Sequence, residues 1–94
     1  MPGTAQSPKF HQKVVFNPTS VPANSTSVQN ILTGVRKVFA MPGDHVLIDA
    51  PNLETGLEIV RVPITTPGTI PIGIKNTTGS AIDPASQTFY VTVL

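Results

Sequence analysis

The chain has no cysteine and no tryptophan, and charge is almost as scarce. Without cysteine there is no disulfide framework, no thiolate metal site and no thiol to oxidise, so the redox compartment is left open. Charged residues make up 12% of the sequence, against roughly 25% in an average domain. Six Lys and Arg face five Asp and Glu, a formal net charge of +1. A nucleic-acid binder neutralises phosphates with clustered cations, and six scattered ones make no such footprint. No apolar run approaches the roughly 18 residues of a membrane span. Met1 to Ala5 has neither the basic start nor the apolar centre of a signal peptide. A soluble, unexported chain with neither nucleic acid nor membrane as partner is therefore expected.

At 94 residues the chain has room for one small domain, which buries roughly 60 to 65% of its unfolded surface. What it has in quantity is β-branched side chain: 11 Val, 8 Ile and 12 Thr, residues that suit a pleated surface. Ten Pro and seven Gly cut the chain so often that Ala23 to Thr33 is its longest stretch free of both. An average helix would need nearly all of that stretch. The expectation is an all-β domain, a small antiparallel β-sandwich or jelly-roll-like barrel of six or seven strands.

Met1 to Pro8 holds two prolines, a glycine and small polar residues without apolar periodicity. It reads as a flexible N-terminal arm ahead of a single domain over residues 9–94. From Lys9 the period becomes two: Phe10, Gln12, Val14 and Phe16 alternate with His11, Lys13 and Val15 until Asn17-Pro18. Ser25 to Thr33 is a second strand, weakly alternating, and Gly34 closes it. Val35 to Phe39 reads as a further short strand ahead of Pro42-Gly43, a dipeptide suited to the central positions of a type II turn.

Three clearer strands follow. In His45 to Ala50, Val46, Ile48 and Ala50 share a face. In Leu57 to Thr65, Val60, Val62 and Ile64 do. Ile70, Ile72 and Ile74 form the most regular row. Thr66-Pro67-Gly68 joins the last two as an antiparallel pair, with Pro63 and Pro71 expected on edges, outward positions or bulges. After the turn-rich Asn76 to Gln87, Thr88 to Leu94 is a final strand with Phe89, Val91 and Val93 on one side.

Chemistry has little to build on. The only neutral-pH bases are His11 and His45, and neither lies in a nucleophile motif. Asp44 and Asp49 flank His45 in sequence, but a zinc or iron site wants three protein ligands, and strand alternation sends Asp44 and His45 to opposite faces. Asp44 and Glu54 are both in loops and could meet as a glycosidase pair, although a sandwich this small has little material for a cleft. Asp83-Pro84 reads as turn initiation. Asn24-Ser25-Thr26 and Asn76-Thr77-Thr78 match the glycosylation pattern by chance in a Thr-rich chain. No catalytic site, cofactor, metal or small-molecule substrate is expected. A surface of Thr, Ser, Asn, Pro and Ala with scattered Ile and Val instead favours a protein covered by partners.

The segments Pro42-Gly43-Asp44-His45-Val46-Leu47-Ile48-Asp49-Ala50-Pro51, Thr55-Gly56-Leu57, Ile72 to Pro84 and Phe89 to Val93 together resemble small virion proteins of tailed bacteriophages. The resemblance covers roughly residues 25 to 94 and lies in turns and strands, not in a catalytic signature. It implies a head decoration, or cement, protein on the outer capsid surface. Its partners would be the major capsid protein and its own copies, as a homotrimer or homodimer. The arm, with Pro2, Pro8, Lys9 and Phe10, is the candidate capsid-binding segment. The alternative is a tail or fibre module that binds a host-surface glycan through the loops Pro51 to Gly56 and Asn76 to Gln87.

Overall fold

The computed structural model describes residues 8–94. Six strands run in chain order: β1 Phe10–Phe16, β2 Thr26–Leu32, β3 Val46–Asp49, β4 Leu57–Val60, β5 Ile70–Asn76 and β6 Gln87–Val93. They form two antiparallel three-stranded sheets, ordered β1-β6-β3 and β2-β5-β4. The expected all-β sandwich is thus present, and neither sheet closes into a barrel. Only β4 and β5 follow one another within a sheet; every other connection crosses from one sheet to the other.

Both central strands carry the strictest alternation, because their inner side chains have neighbours on every side. Ile70, Ile72 and Ile74 of β5 and Phe89, Val91 and Val93 of β6 are all fully buried. They meet Val14, Val21, Ile31, Val46, Leu57 and Ile64 in one core. Phe16 packs edge-on against Phe89 with ring centroids 5.8 Å apart, a favoured aromatic geometry.

Two expected strands differ. Val35 to Phe39 is not a strand: Lys37–Phe39 forms a single 3-10 turn. The Val35 N–H donates to the Gly68 carbonyl at 3.0 Å, and the Gly68 N–H donates to the Ala40 carbonyl at 2.8 Å. Those backbone groups clasp the β4–β5 turn and are not free for a ladder. Gly68 stands at φ +84°, and a Cβ there would lie 2.6 Å from the Val35 oxygen, so the clasp requires glycine.

The strand expected from Leu57 to Thr65 stops at Val60. Val60 pairs with Gly73, so the next outward position would fall opposite Pro71, which has no N–H to donate. The anticipated face of Val60, Val62 and Ile64 is accordingly divided. Ile59, opposite Ile74, and not Val60, turns inward. Val60 and Val62 lie over Gly73 on the outer face, and Ile64, past Pro63, returns to the core at 2% exposure. Pro71 itself sits beside the register shift between Asn30 and Leu32 of β2, the bulge position expected of a strand proline.

The turns follow their residues. Pro42-Gly43 makes the expected reversal, with Gly43 at φ +94° and the Asp44 N–H donating to the Met41 carbonyl at 3.0 Å. Asn76, at the end of β5, is the one fully buried polar side chain among the described residues. Its amide donates to the carbonyls of Val21 (3.1 Å) and Ser80 (2.8 Å) and accepts from the N–H (2.9 Å) and hydroxyl (2.7 Å) of Thr78. Together with the Val21–Ile82 bridge, this ties the 76–82 loop to the β1–β2 connection.

Candidate functional site

Of the candidate arm residues, Pro2 lies outside the described residues and Pro8 is exposed. Lys9 and Phe10 belong to the body of the domain. The Lys9 N–H donates to the Val93 carbonyl at 2.9 Å, and Lys9 Nζ pairs with Asp44 Oδ2 at 2.6 Å. Phe10 opens β1 opposite Val93 and packs against Phe39 with centroids 6.2 Å apart.

The candidate carboxylates are committed to the fold. Asp44 accepts from Lys9 and from the Met41 N–H at 2.8 Å, and the Lys9 ammonium, then that N–H, hold its carboxyl below the usual range. Glu54 accepts from the Ala85 N–H at 2.7 Å and the Gln87 amide at 3.0 Å. The Ala85 N–H chiefly, helped by Gln87, lowers its pKa against the opposing effect of burial. Asp44 is tied to Lys9 beside Val93 and Glu54 to Gln87, the two ends of β6, so the possible pair is held apart by about 20 Å of strand. Among the described residues no three His, Asp or Glu come together in a metal-binding group.

The two loops named for glycan binding do adjoin. The Thr77 N–H donates to the Gly56 carbonyl at 3.0 Å, and Glu54 reaches Ala85 and Gln87. Glu54 and Thr77 supply the side-chain bonds between them, while Asn52, Thr55, Asp83 and Ser86 are exposed. Gly56, at φ +95°, would place a Cβ 2.5 Å from the Thr78 methyl, so the contact between the loops depends on a bare backbone.

What the sandwich presents outward is two broad faces. On the first sheet the cross-strand rows are His11–Thr92–Leu47 and Lys13–Tyr90–Asp49, with Val15 opposite Thr88. Val15 is 72% exposed and Leu47 48%. His11 Nδ1 and Thr92 Oγ1 lie 2.8 Å apart. A shallow depression of about 500 Å³ is lined by His11, Leu47, Ile48, Asp49, Tyr90 and Thr92.

On the second sheet the rows are Thr26–Lys75–Glu58 and Val28–Gly73–Val60, then Asn30 opposite Pro71. Val28 is 61% exposed, and Val62 covers Gly73. Between the open edges of β3 and β4 runs a groove of about 240 Å³ that exposes the flanks of Ile48 and Ile59. Alternation in sequence indicated which residues point out; which of them share a row follows only from the register. No family model, curated protein or solved structure matches this chain.

Proposed function

We propose that this protein is a non-enzymatic bacteriophage capsid decoration protein that binds the outer surface of the assembled head across neighbouring major capsid protein subunits. The observation that supports this reading is the pair of outer sheet faces. Each carries exposed apolar side chains, Val15, Leu47 and Tyr90 on one and Val28 on the other, in a chain with 12% charged residues. Isolated apolar residues on a surface are ordinary, but here Val15, Leu47 and Tyr90 stand in three successive rows of one face and Val28 shares a row with Gly73 and Val60 on the other, so both broad faces of one small domain offer apolar area suited to being covered. A small rigid body with two such faces can bridge a seam. By binding only the assembled shell it stabilises that state by mass action.

The test is immunogold labelling of purified virions with an antibody to this protein, with a count of copies per particle. Label spread over the head in hundreds of copies is expected, and unlabelled particles would remove the virion reading. Deleting residues 1–8 should weaken capsid occupancy if the arm takes part, and unchanged occupancy would exclude it. The adjoining loops 51–56 and 76–87 favour a second reading, a tail or fibre module for a host-surface glycan. Label confined to the tail, with binding on a glycan array, would select it.

A further inference from the structure

We infer that the outer face of the β1-β6-β3 sheet takes a second copy of this chain, about a two-fold axis running along β6. The inference rests on the reading of these faces as assembly surfaces, but it needs nothing from the virion. Its basis is one cross-strand row. Lys13 on β1, Tyr90 on β6 and Asp49 on β3 stand side by side, so a cation and an anion flank a central aromatic.

The two charges lie two strands apart, about 10 Å between their Cα atoms, with Tyr90 between them. Among the described residues the only ion pair is Lys9–Asp44, so neither Lys13 nor Asp49 is paired with another described residue. Both are exposed. A half-turn about an axis parallel to β6, lying between two facing sheets, exchanges the positions of β1 and β3 and leaves β6 over β6. Lys13 of each copy then faces Asp49 of the other, and the two Tyr90 side chains meet at the centre. Leu47 of each copy comes over His11 of the other. Such an isologous contact is satisfied twice by one surface, and facing sheets with nearly aligned strands are a common packing mode.

The second sheet lacks this property. Its charged row is Thr26–Lys75–Glu58, with the cation on the central strand, so the same operation brings Lys75 over Lys75. Charge complementarity therefore assigns the second copy to the first sheet and leaves the Val28 face for a different partner.

The face spans about 14 Å across three strands and about 24 Å along seven residues, well below the roughly 800 Å² per partner of a standard interface. Pairing in dilute solution is accordingly weak, with a dissociation constant on the order of 100 μM.

Sedimentation equilibrium of the full chain from about 10 μM to about 1 mM brackets that constant. The wild type should move from monomer to dimer across the range. Lys13→Asp alone and Asp49→Lys alone should each remain monomeric, because each sets like charges face to face. An equimolar mixture of the two single variants should associate, since one then presents two anions and the other two cations. The double variant K13D/D49K should dimerise again. Both positions are exposed strand sites, and matching urea unfolding of all variants verifies their folds. A wild type that stays monomeric at about 1 mM, or a dimer indifferent to the single reversals, overturns the inference. A charge-dependent dimer from a protein that labels no virion would keep the pairing and remove only the capsid reading.

Discussion

Replacing Asn76 by Ala tests whether the 76–82 loop is a structural clamp or a polar surface available to a ligand. The side chain is fully buried and takes part in four hydrogen bonds, to Val21, Ser80 and twice to Thr78. Two of the losses are cushioned. The Val21 carbonyl still accepts from the Ile82 N–H at 3.0 Å, and the single hydroxyl proton of Thr78, released from Asn76, can turn to the Ser80 carbonyl 2.9 Å away. The Thr78 N–H keeps no protein partner. At about 0.5 to 1.5 kcal/mol net per bond, with that remaining donor adding its own penalty, the expected destabilisation is about 2 to 4 kcal/mol. This is a large share of the roughly 5 to 14 kcal/mol available to a domain of this length. The assay is urea unfolding with the m-value held common to both proteins. Thr78→Val removes the hydroxyl bonds but keeps the N–H, and should cost about 1 kcal/mol. A loss below about 1 kcal/mol for Asn76→Ala would refute the clamp, and would return the loop to the glycan reading as a segment with polar groups to spare.

Gly73→Ala should destabilise by about 1 to 3 kcal/mol through overpacking, because its Cβ would lie 2.8 Å from the Val60 oxygen and 2.9 Å from a Val62 methyl; unchanged thermal unfolding would mean that Val62 moves freely off the sheet. Phe89→Ala removes a fully buried ring and its edge-on contact with Phe16, and should cost about 3 to 5 kcal/mol in chemical denaturation. Glu54 has a folded pKa below its ordinary value, so its contribution is present above the unfolded pKa and is lost as pH falls through the folded one. Because this carboxylate is largely solvated, Glu54→Gln should cost no more than about 1 kcal/mol near neutral pH. That difference should vanish by about pH 2, and a gap that persists in acid would assign the effect to packing.

How far the sequence could be read depended on whether a segment's partner was itself regular. Ile70, Ile72 and Ile74, and Phe89, Val91 and Val93, announced their faces because a central strand has its ladders on both sides and its core beneath. Pro42-Gly43 announced its turn because the conformation is set by those two residues alone. Val35 to Phe39 was misleading for the opposite reason. Its β-branched residues favour a strand, but the backbone groups at its ends serve the Gly68 turn, about thirty residues away in the chain. In the same way the end of β4 is set by Pro71 across the ladder, which no reading of Leu57 to Thr65 by itself can supply.

The candidate site follows the same logic at longer range. Lys13, Asp49 and Tyr90 are unremarkable where they stand in the sequence, a solvated cation, a solvated anion and a lone tyrosine. They become one row only because β6 lies between β1 and β3 in a fixed register. Slipping β3 by a single residue against β6 would turn Asp49 toward the core and bring Ile48 out, since side chains alternate with a strict period of two. The burial of Val46 beside Val93 and the half-burial of Ile48 beside Val91 oppose that slip. The apolar inner face therefore specifies, through register, the pattern of charge on the outer one. A substitution that loosened this inner packing without touching Lys13 or Asp49 would blur the self-complementary surface as effectively as reversing either charge.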